Sequence, residues 1–257
     1  MPSAPLLQVS NLFLRYGKFE ALKGIHFTIH PGEIVGYLGP NGAGKSSTVK
    51  VLTGLLSPGS GQVEVCGHSV ASQTLAAQAC IGYVPESAPA YSLLTGLEYL
   101  SLVAGLYDVP SDKAEANINM LIETFDMQKV APRLIHTYSK GQRQKIVLCA
   151  ALLHEPQVLI LDEPLDGLDV DSARKVKDIV SGLAARGRAI LFCSHTLEIV
   201  QKLCNRIIIL NEGRIVADQP TEEILQRSQD HTLESVFSQL TKPDKGNTDI
   251  QQVIAAL

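Results

Sequence analysis

Short apolar runs alternate with longer amphipathic stretches along most of this chain. LLQVSNLFLRY, IHFTIH and EIVGYLG read as strands, with Pro31-Gly32 turning between the last two. A glycine-rich loop and the helical stretch SSTVKVLTGLL follow, then the turn-rich SPGSGQ and the strands VEVCG and IGYVP. From about Tyr91 to His136 the spacing becomes helical, in LTGLEYLSLVAGLY and DKAEANINMLIETFDM. From Ser139 helices and strands alternate: SKGQRQKIVLCAALLH, QVLILD, DSARKVKDIVSGLAA, RAILFCS, TLEIVQKLC and RIIIL. This order predicts an α/β fold with a largely parallel sheet. VLILD and AILFC are continuous apolar runs, as expected of strands covered on both faces. The helical block in the middle reads as an insertion into that sheet. A polar tail is expected after Pro220, with a linker at Lys242 to Thr248.

Composition narrows the classes. The chain has 257 residues, 45% apolar and 19% charged, which supplies a sizeable core and excludes disorder over most of the length. A formal net charge of -4 gives no support to a broad nucleic-acid surface. No apolar run approaches the ~18 residues that a membrane-spanning helix needs. The first residues, MPSAPLLQVS, show no secretory signal pattern. Five cysteines (Cys66, Cys80, Cys149, Cys193 and Cys204) form no CxxC pair and read as reduced thiols, with Cys149 and Cys193 as core residues.

Three segments carry candidate chemistry. Gly39-Pro40-Asn41-Gly42-Ala43-Gly44-Lys45-Ser46 fits G-x-x-x-x-G-K-[ST] between a strand and a helix. Glycines let backbone N–H groups face phosphate oxygens, and the helix start adds its positive dipole end. Lys45 would supply charge to the β- and γ-phosphates. Ser46 would offer a hydroxyl to Mg²⁺, and Ser47 would reach another phosphate oxygen. The second segment is Asp162-Glu163-Pro164, directly after VLIL. Two carboxylates at the end of a buried strand are costly unless positive charge sits nearby. Asp162 would hold Mg²⁺, and Glu163 would polarise an attacking water. A solvated strand-end turn is the plainer alternative. The third is Ser139-Lys140-Gly141-Gln142, a capping-box pattern whose helix start could also receive an anion. Two such helix starts in one chain suggest two anions, or one nucleotide held between two subunits.

GPNGAGKSS, YSKGQRQK, VLILDEP and a lone His195 after AILFCS, in this order, resemble the ATP-binding cassette (ABC) ATPases over about residues 6 to 220. The resemblance implies a P-loop NTPase (RecA-like) ATP-binding core with an antiparallel β subdomain and an inserted helical subdomain. The corresponding boundaries are 1–90 and 147–220 for the core, 91–146 for the helical subdomain and 221–257 for a C-terminal helical tail. It also implies ATP and Mg²⁺ as cofactors and a head-to-tail dimer with two ATP molecules between the subunits. In that dimer Ser139, Gly141 and Gln142 would contact ATP bound to the opposite subunit, and Asp169 would link the two sites. Tyr16, in LRYGKFEAL, resembles the aromatic that stacks on adenine, and His195 the histidine that contacts the γ-phosphate. For Asp169 the plainer alternative is a helix cap.

The sequence departs from the family pattern at four places. Glu86 stands where glutamine is usual, and it would still offer an oxygen to the cation. Lys140 replaces a glycine. Leu165 and Asp166 occupy positions often filled by small or polar residues. None removes a catalytic group, so an active ATPase is expected. Ser92 to Pro110 resembles the coupling region of exporter-type cassettes, and HTLESVFSQLT resembles the tail of that branch. The implied function is the ATPase subunit of an exporter, on the cytoplasmic face of the membrane, with a transmembrane permease and a second cassette as partners and no nucleic acid. A soluble ABC ATPase acting on ribosomes or DNA is the alternative. Against it, the chain has one cassette and no sustained heptads between Glu86 and Asp162. A nonhydrolytic ATP sensor is a third reading, opposed by Glu163 and His195.

Overall fold

Residues 4–87 and 91–241 are described in the computed structural model of the protein. The expected linker at 242–248 and the chain beyond it lie outside the described residues. The opening runs become β1 (Leu7–Tyr16), β2 (Phe19–Ile29) and β3 (Ile34–Leu38). Next come α1 (Lys45–Leu52), β4 (Ser60–Val65), β5 (His68–Ser69), α2 (Thr74–Ala79) and β6 (Ile81–Val84). The middle block forms α3 (Gly96–Leu106), α4 (Ser111–Thr124) and a 3₁₀ turn at Ile135–Thr137. The rest runs α5 (Lys140–Leu152), β7 (Val158–Asp162), α6 (Val170–Ala185), β8 (Ala189–Cys193), α7 (Leu197–Leu203) and β9 (Arg206–Asn211). It closes with β10 (Arg214–Pro220), α8 (Thr221–Leu225) and α9 (Leu233–Thr241).

Two sheets result. A four-stranded antiparallel sheet has the order β2-β1-β4-β5, and a six-stranded sheet has the order β10-β9-β3-β8-β7-β6. In the larger sheet the five strands from β9 to β6 are parallel and β10 pairs antiparallel at the edge. Its strands alternate inward in both directions. Val158 and Ile160 of β7, Leu191 of β8 and Ile208 of β9 face the small sheet and α1. Leu159, Leu161, Ile190, Phe192, Ile207 and Ile209 face the helices of the middle block and α6. Every residue of β7 and β8 is buried, as their unbroken apolar runs predict. Full burial of one such side chain contributes about 1.5–3 kcal/mol, so this central stack fixes the strand ends that carry the site.

The structure differs from the pattern reading at several elements. α1 stops at Leu52, four residues before the predicted helical stretch ends. Gly54 takes φ 72, and the Thr53 hydroxyl donates to the Val49 carbonyl at 2.9 Å, closing the last turn. α2 and β10 were not legible as elements. Mixed polar residues along RIVADQP hide an edge strand, which needs only one buried face. The segment after Pro220 reads as polar, but α8 and α9 turn Ile224, Leu233 and Val236 fully into the core. α5 runs unbroken from Lys140 to Leu152. That helix packs on α3, α4 and the sheet within one continuous apolar cluster.

Candidate nucleotide-binding and catalytic site

The loop between β3 and α1 is shaped by glycines that no other residue could replace cheaply. Gly42 and Gly44 have φ 81 and 110. A Cβ on Gly39 would lie 2.4 Å from the Leu210 carbonyl, and one on Gly44 would lie 2.7 Å from the Ala21 carbonyl. Gly44 caps α1 without any side-chain hydrogen bond, leaving the helix start uncapped by a side chain. The Lys45 ammonium folds over the loop, donating to the carbonyls of Gly39 (2.5 Å) and Pro40 (3.2 Å). Below the loop, the fully buried Tyr37 hydroxyl meets Thr48 Oγ1 at 3.0 Å, and Thr48 Oγ1 also donates to the Gly44 carbonyl at 3.0 Å. These bonds tie the first turn of α1 to β3, and the sequence carries no signal for them.

β7 delivers the acidic pair. Asp162 is its last residue and is buried. Burial, then the neighbouring carboxylates of Glu86 and Glu163, push its pKa up to about 6, with Lys45 opposing. Glu163 has φ 49, a left-handed conformation unusual for glutamate. Its N–H donates to the Cys193 carbonyl at 3.0 Å, so β8 sets the turn. Its Oε2 lies 2.9 Å from His195 Nδ1 and accepts from Ser194 Oγ at 3.3 Å. The buried Gln144 of α5 donates to the carbonyls of Pro164 (3.2 Å) and Glu163 (3.5 Å). Ser194 and Gln144 are absent from the sequence reading because only the strand order brings them beside Glu163.

These residues surround one cleft of about 620 Å³. Gly39, Asn41, Gly42, Gly44, Lys45, Ser46, Ser47, Glu86, Asp162, Glu163 and His195 all line it. Ala43 buries its methyl in the core and donates its N–H to the Pro40 carbonyl at 3.1 Å. Tyr16 stands at the rim, its hydroxyl 3.4 Å from Ser47 Oγ. Among the described residues, no group of three or more His, Cys, Asp or Glu could hold a metal ion alone. A buried Asp162 pressed by two carboxylates, with the Ser46 hydroxyl in the same cleft, nonetheless suits a hard cation that takes its other ligands from phosphate and water.

Ser139, Gly141, Gln142 and Asp169 do not line this cleft. Ser139 and Gln142 form a complete capping box at the start of α5, with Ser139 Oγ accepting from Gln142 N at 3.2 Å and Gln142 Oε1 accepting from Ser139 N at 2.9 Å. Asp169 caps α6, accepting from Ser172 N at 2.8 Å and from Lys145 at 3.2 Å. The Ser172 N–H is the main reason its carboxyl falls to about pKa 2. A Cβ on Gly141 would lie 2.5 Å from the Gly167 carbonyl, so α5 abuts the loop after Glu163. Two of the departures from the family pattern meet here: Lys140 and Asp166 form an ion pair at 2.6 Å.

A glycine-rich phosphate loop, a buried strand-end carboxylate and a neighbouring glutamate on a parallel sheet define a P-loop nucleotide triphosphatase. The family model for the ABC transporter matches residues 22–166, and the chain belongs to that family as an ATP-binding, ATP-hydrolysing subunit. The linearmycin resistance ATP-binding protein LnrL of Bacillus subtilis is 36% identical over 212 residues, 82% of this chain and 68% of that protein. A fluoroquinolones export ATP-binding protein of Mycobacterium tuberculosis is 39% identical over 226 residues, 87% of this chain and 74% of that one. A solved ATP binding subunit of an ABC transporter superposes with a TM-score of 0.88 at 30% identity, covering 92% of this chain and all of that one. No helix among the described residues is long and apolar enough to cross a membrane.

Proposed function

We propose that the protein drives export through a separate transmembrane permease, working on the cytoplasmic face as one of two cassettes in a closing dimer. The observation that carries this reading is the split of phosphate-binding features. One helix start lines the cleft with the catalytic groups, while the α5 start lies outside it with Ser139, Gly141 and Gln142. A second copy, or a related cassette, would present those residues to the nucleotide. The kinship to drug-resistance and export proteins supports the direction.

In this reading the loop of Gly39, Asn41, Gly42 and Gly44 cradles the phosphates by backbone N–H groups, while Ala43 takes part by holding the turn through its N–H to the Pro40 carbonyl. Lys45 leaves the Gly39 and Pro40 carbonyls to neutralise β- and γ-oxygens, and Ser47 reaches a further phosphate oxygen. Ser46, Asp162 and Glu86 would hold Mg²⁺, which neutralises charge on the phosphates when bound. Tyr16 stacks on the adenine. Glu163 orients a water and draws its proton as the water oxygen bonds to the γ-phosphorus and the bond to the β-phosphate oxygen breaks, giving ADP and phosphate. His195, with its Nδ1 2.9 Å from Glu163 Oε2, keeps that carboxylate aimed and contacts the γ-phosphate. Asp169, near the dimer seam, links the two sites. We assign the ATP-binding lobe to 1–90 and 147–220, the helical lobe to 91–146 and the tail to 221–257.

The test is capture of Glu163→Gln from solubilised membranes with ATP present. It should turn over about 10²–10⁴-fold more slowly than wild type and bring down a polytopic membrane protein in stoichiometric amount. Ribosomal proteins or DNA, with nothing from the membrane, would move the protein to the soluble class.

A further inference from the structure

Two of the five cysteines are half-buried and meet at the end of the large sheet away from the cleft. Cys66 sits in the turn between β4 and β5, with φ 52, and Cys80 directly precedes β6. The other three, Cys149, Cys193 and Cys204, are buried. Gln157 holds both members of the pair. The Cys80 carbonyl accepts from Gln157 N at 3.1 Å and from Val158 N at 3.0 Å, and the Cys66 thiol donates to Gln157 Oε1 over 3.7 Å. Val158 opens β7 and Asp162 closes it, so the pair lies one strand length from the nucleotide site. The Cys66 backbone is fixed as well, its N–H donating to the Leu6 carbonyl at 2.8 Å. The two side chains interact directly. Burial, and then a hydrogen bond with the Cys80 thiol, push the Cys66 thiol up to about 12 against the pull of Arg188.

We propose that Cys66 and Cys80 are a reversible redox site, closed to a disulfide by hydroperoxides and reopened by dithiols. The site is independent of the nucleotide reading. Cys66 keeps its proton, so Cys80 is the residue that reacts first. Its thiolate attacks the terminal oxygen of the hydroperoxide. The S–O bond forms as the O–O bond breaks, and the departing oxygen takes up a proton and leaves as water or an alcohol. The Cys66 sulfur then attacks the Cys80 sulfur. The S–S bond forms, the S–O bond breaks, and the hydroxyl leaves as water with the Cys66 proton. Two thiols lose two electrons and the hydroperoxide gains them. Each thiol gives up only a weak acceptor, Gln157 Oε1 for Cys66 and the Ala76 carbonyl at 3.5 Å for Cys80. The bridge joins the turn of the small sheet to the first residue before an edge strand of the large one.

The experiment treats the full chain with hydrogen peroxide, blocks the remaining thiols with iodoacetamide and weighs the tryptic peptides. The stretch from Val51 to Lys113 has no lysine or arginine before its last residue, and it carries both cysteines and no other. Wild type should lose two of its five thiols. That peptide should become lighter by two hydrogens and take no alkyl group, and dithiothreitol should restore both thiols. Cys80→Ser should slow the loss of the Cys66 thiol at least about tenfold. Cys66→Ser should leave Cys80 as a sulfenic acid that dimedone traps. A wild-type peptide alkylated at both positions after treatment overturns the proposal. So does oxidation of either cysteine without the loss of two hydrogens, or a bridge between two chains, since each makes them separate surface thiols. Equal loss of the Cys66 thiol in wild type and Cys80→Ser overturns the role of Cys80 as the attacking residue.

Discussion

The helix starts of α1 and α5 look alike in sequence, each a glycine-bearing segment with a serine and a lysine, and the structure treats them oppositely. α1 begins at a left-handed Gly44 with no side-chain cap among the described residues. α5 begins at Ser139, whose hydroxyl and whose partner Gln142 satisfy two of those groups reciprocally. Among the described residues no side chain caps the first end, which leaves its donors open to an anion. The second is complete by itself, and further knotted to the loop after Glu163 by Lys140–Asp166, Lys145–Asp169 and Gln144. A phosphate reaching α5 therefore meets an ordered, capped end that needs no ligand to hold its shape. In the proposed dimer such an end would meet a nucleotide on another subunit without depending on one to fold.

The difference can be broken most directly at α1. Lys45→Ala should weaken MgATP binding about 10²-fold, the loss expected for a charge-assisted contact to phosphate, while leaving the melting temperature of the free protein nearly unchanged. An unchanged dissociation constant would remove the phosphate-loop assignment.

A smaller effect sharpens the catalytic end of the same cleft. With its pKa raised to about 6, Asp162 stabilises the free fold fully below its ordinary value of 3.8, and that contribution is lost as pH rises through about 6. A cation bound there must displace the proton. Below pH 6 the Mg²⁺ requirement for ATP binding should rise roughly tenfold per pH unit. Calorimetry near pH 6 should show proton release on MgATP binding beyond that seen with Asp162→Asn. Identical proton release in the two proteins would show that Asp162 keeps its charge and does not meet the cation.

The smallest effect belongs to α5. Ser139→Ala removes half of the capping box and should cost about 1 kcal/mol of stability, read as a lower midpoint in urea. In the isolated monomer its ATP affinity should equal wild type, whereas ATP-dependent dimerisation should weaken. A drop in monomer affinity would mean that α5 serves its own subunit's nucleotide, and the contrast between the two helix starts would collapse.

Much of the site was legible without coordinates because its parts are local. A glycine loop between strand and helix, or two acids at the end of an apolar run, obeys backbone and solvation rules that act over a few residues. Asp162, Glu163 and Lys45 are named by such rules and His195 by the family resemblance, and one cleft gathers them. Elements with one buried face were less visible. β10 and α9 carry mixed polar residues, and their apolar positions acquire meaning only when a neighbouring surface covers them.

By itself, then, the sequence determined the strand and helix alternation, the phosphate loop, the acidic pair and the absence of an apolar stretch of membrane length. Those depend on short-range periodicity and residue chemistry. Only the tertiary structure decided that Lys140 and Asp166, two departures read separately, neutralise each other across 26 residues of chain. It alone set Gln144 and Ser194 around Glu163 and turned Phe19 into the phosphate cleft. The reason is physical: those contacts join residues far apart in the chain, and their distances are fixed by the order in which six strands pack side by side.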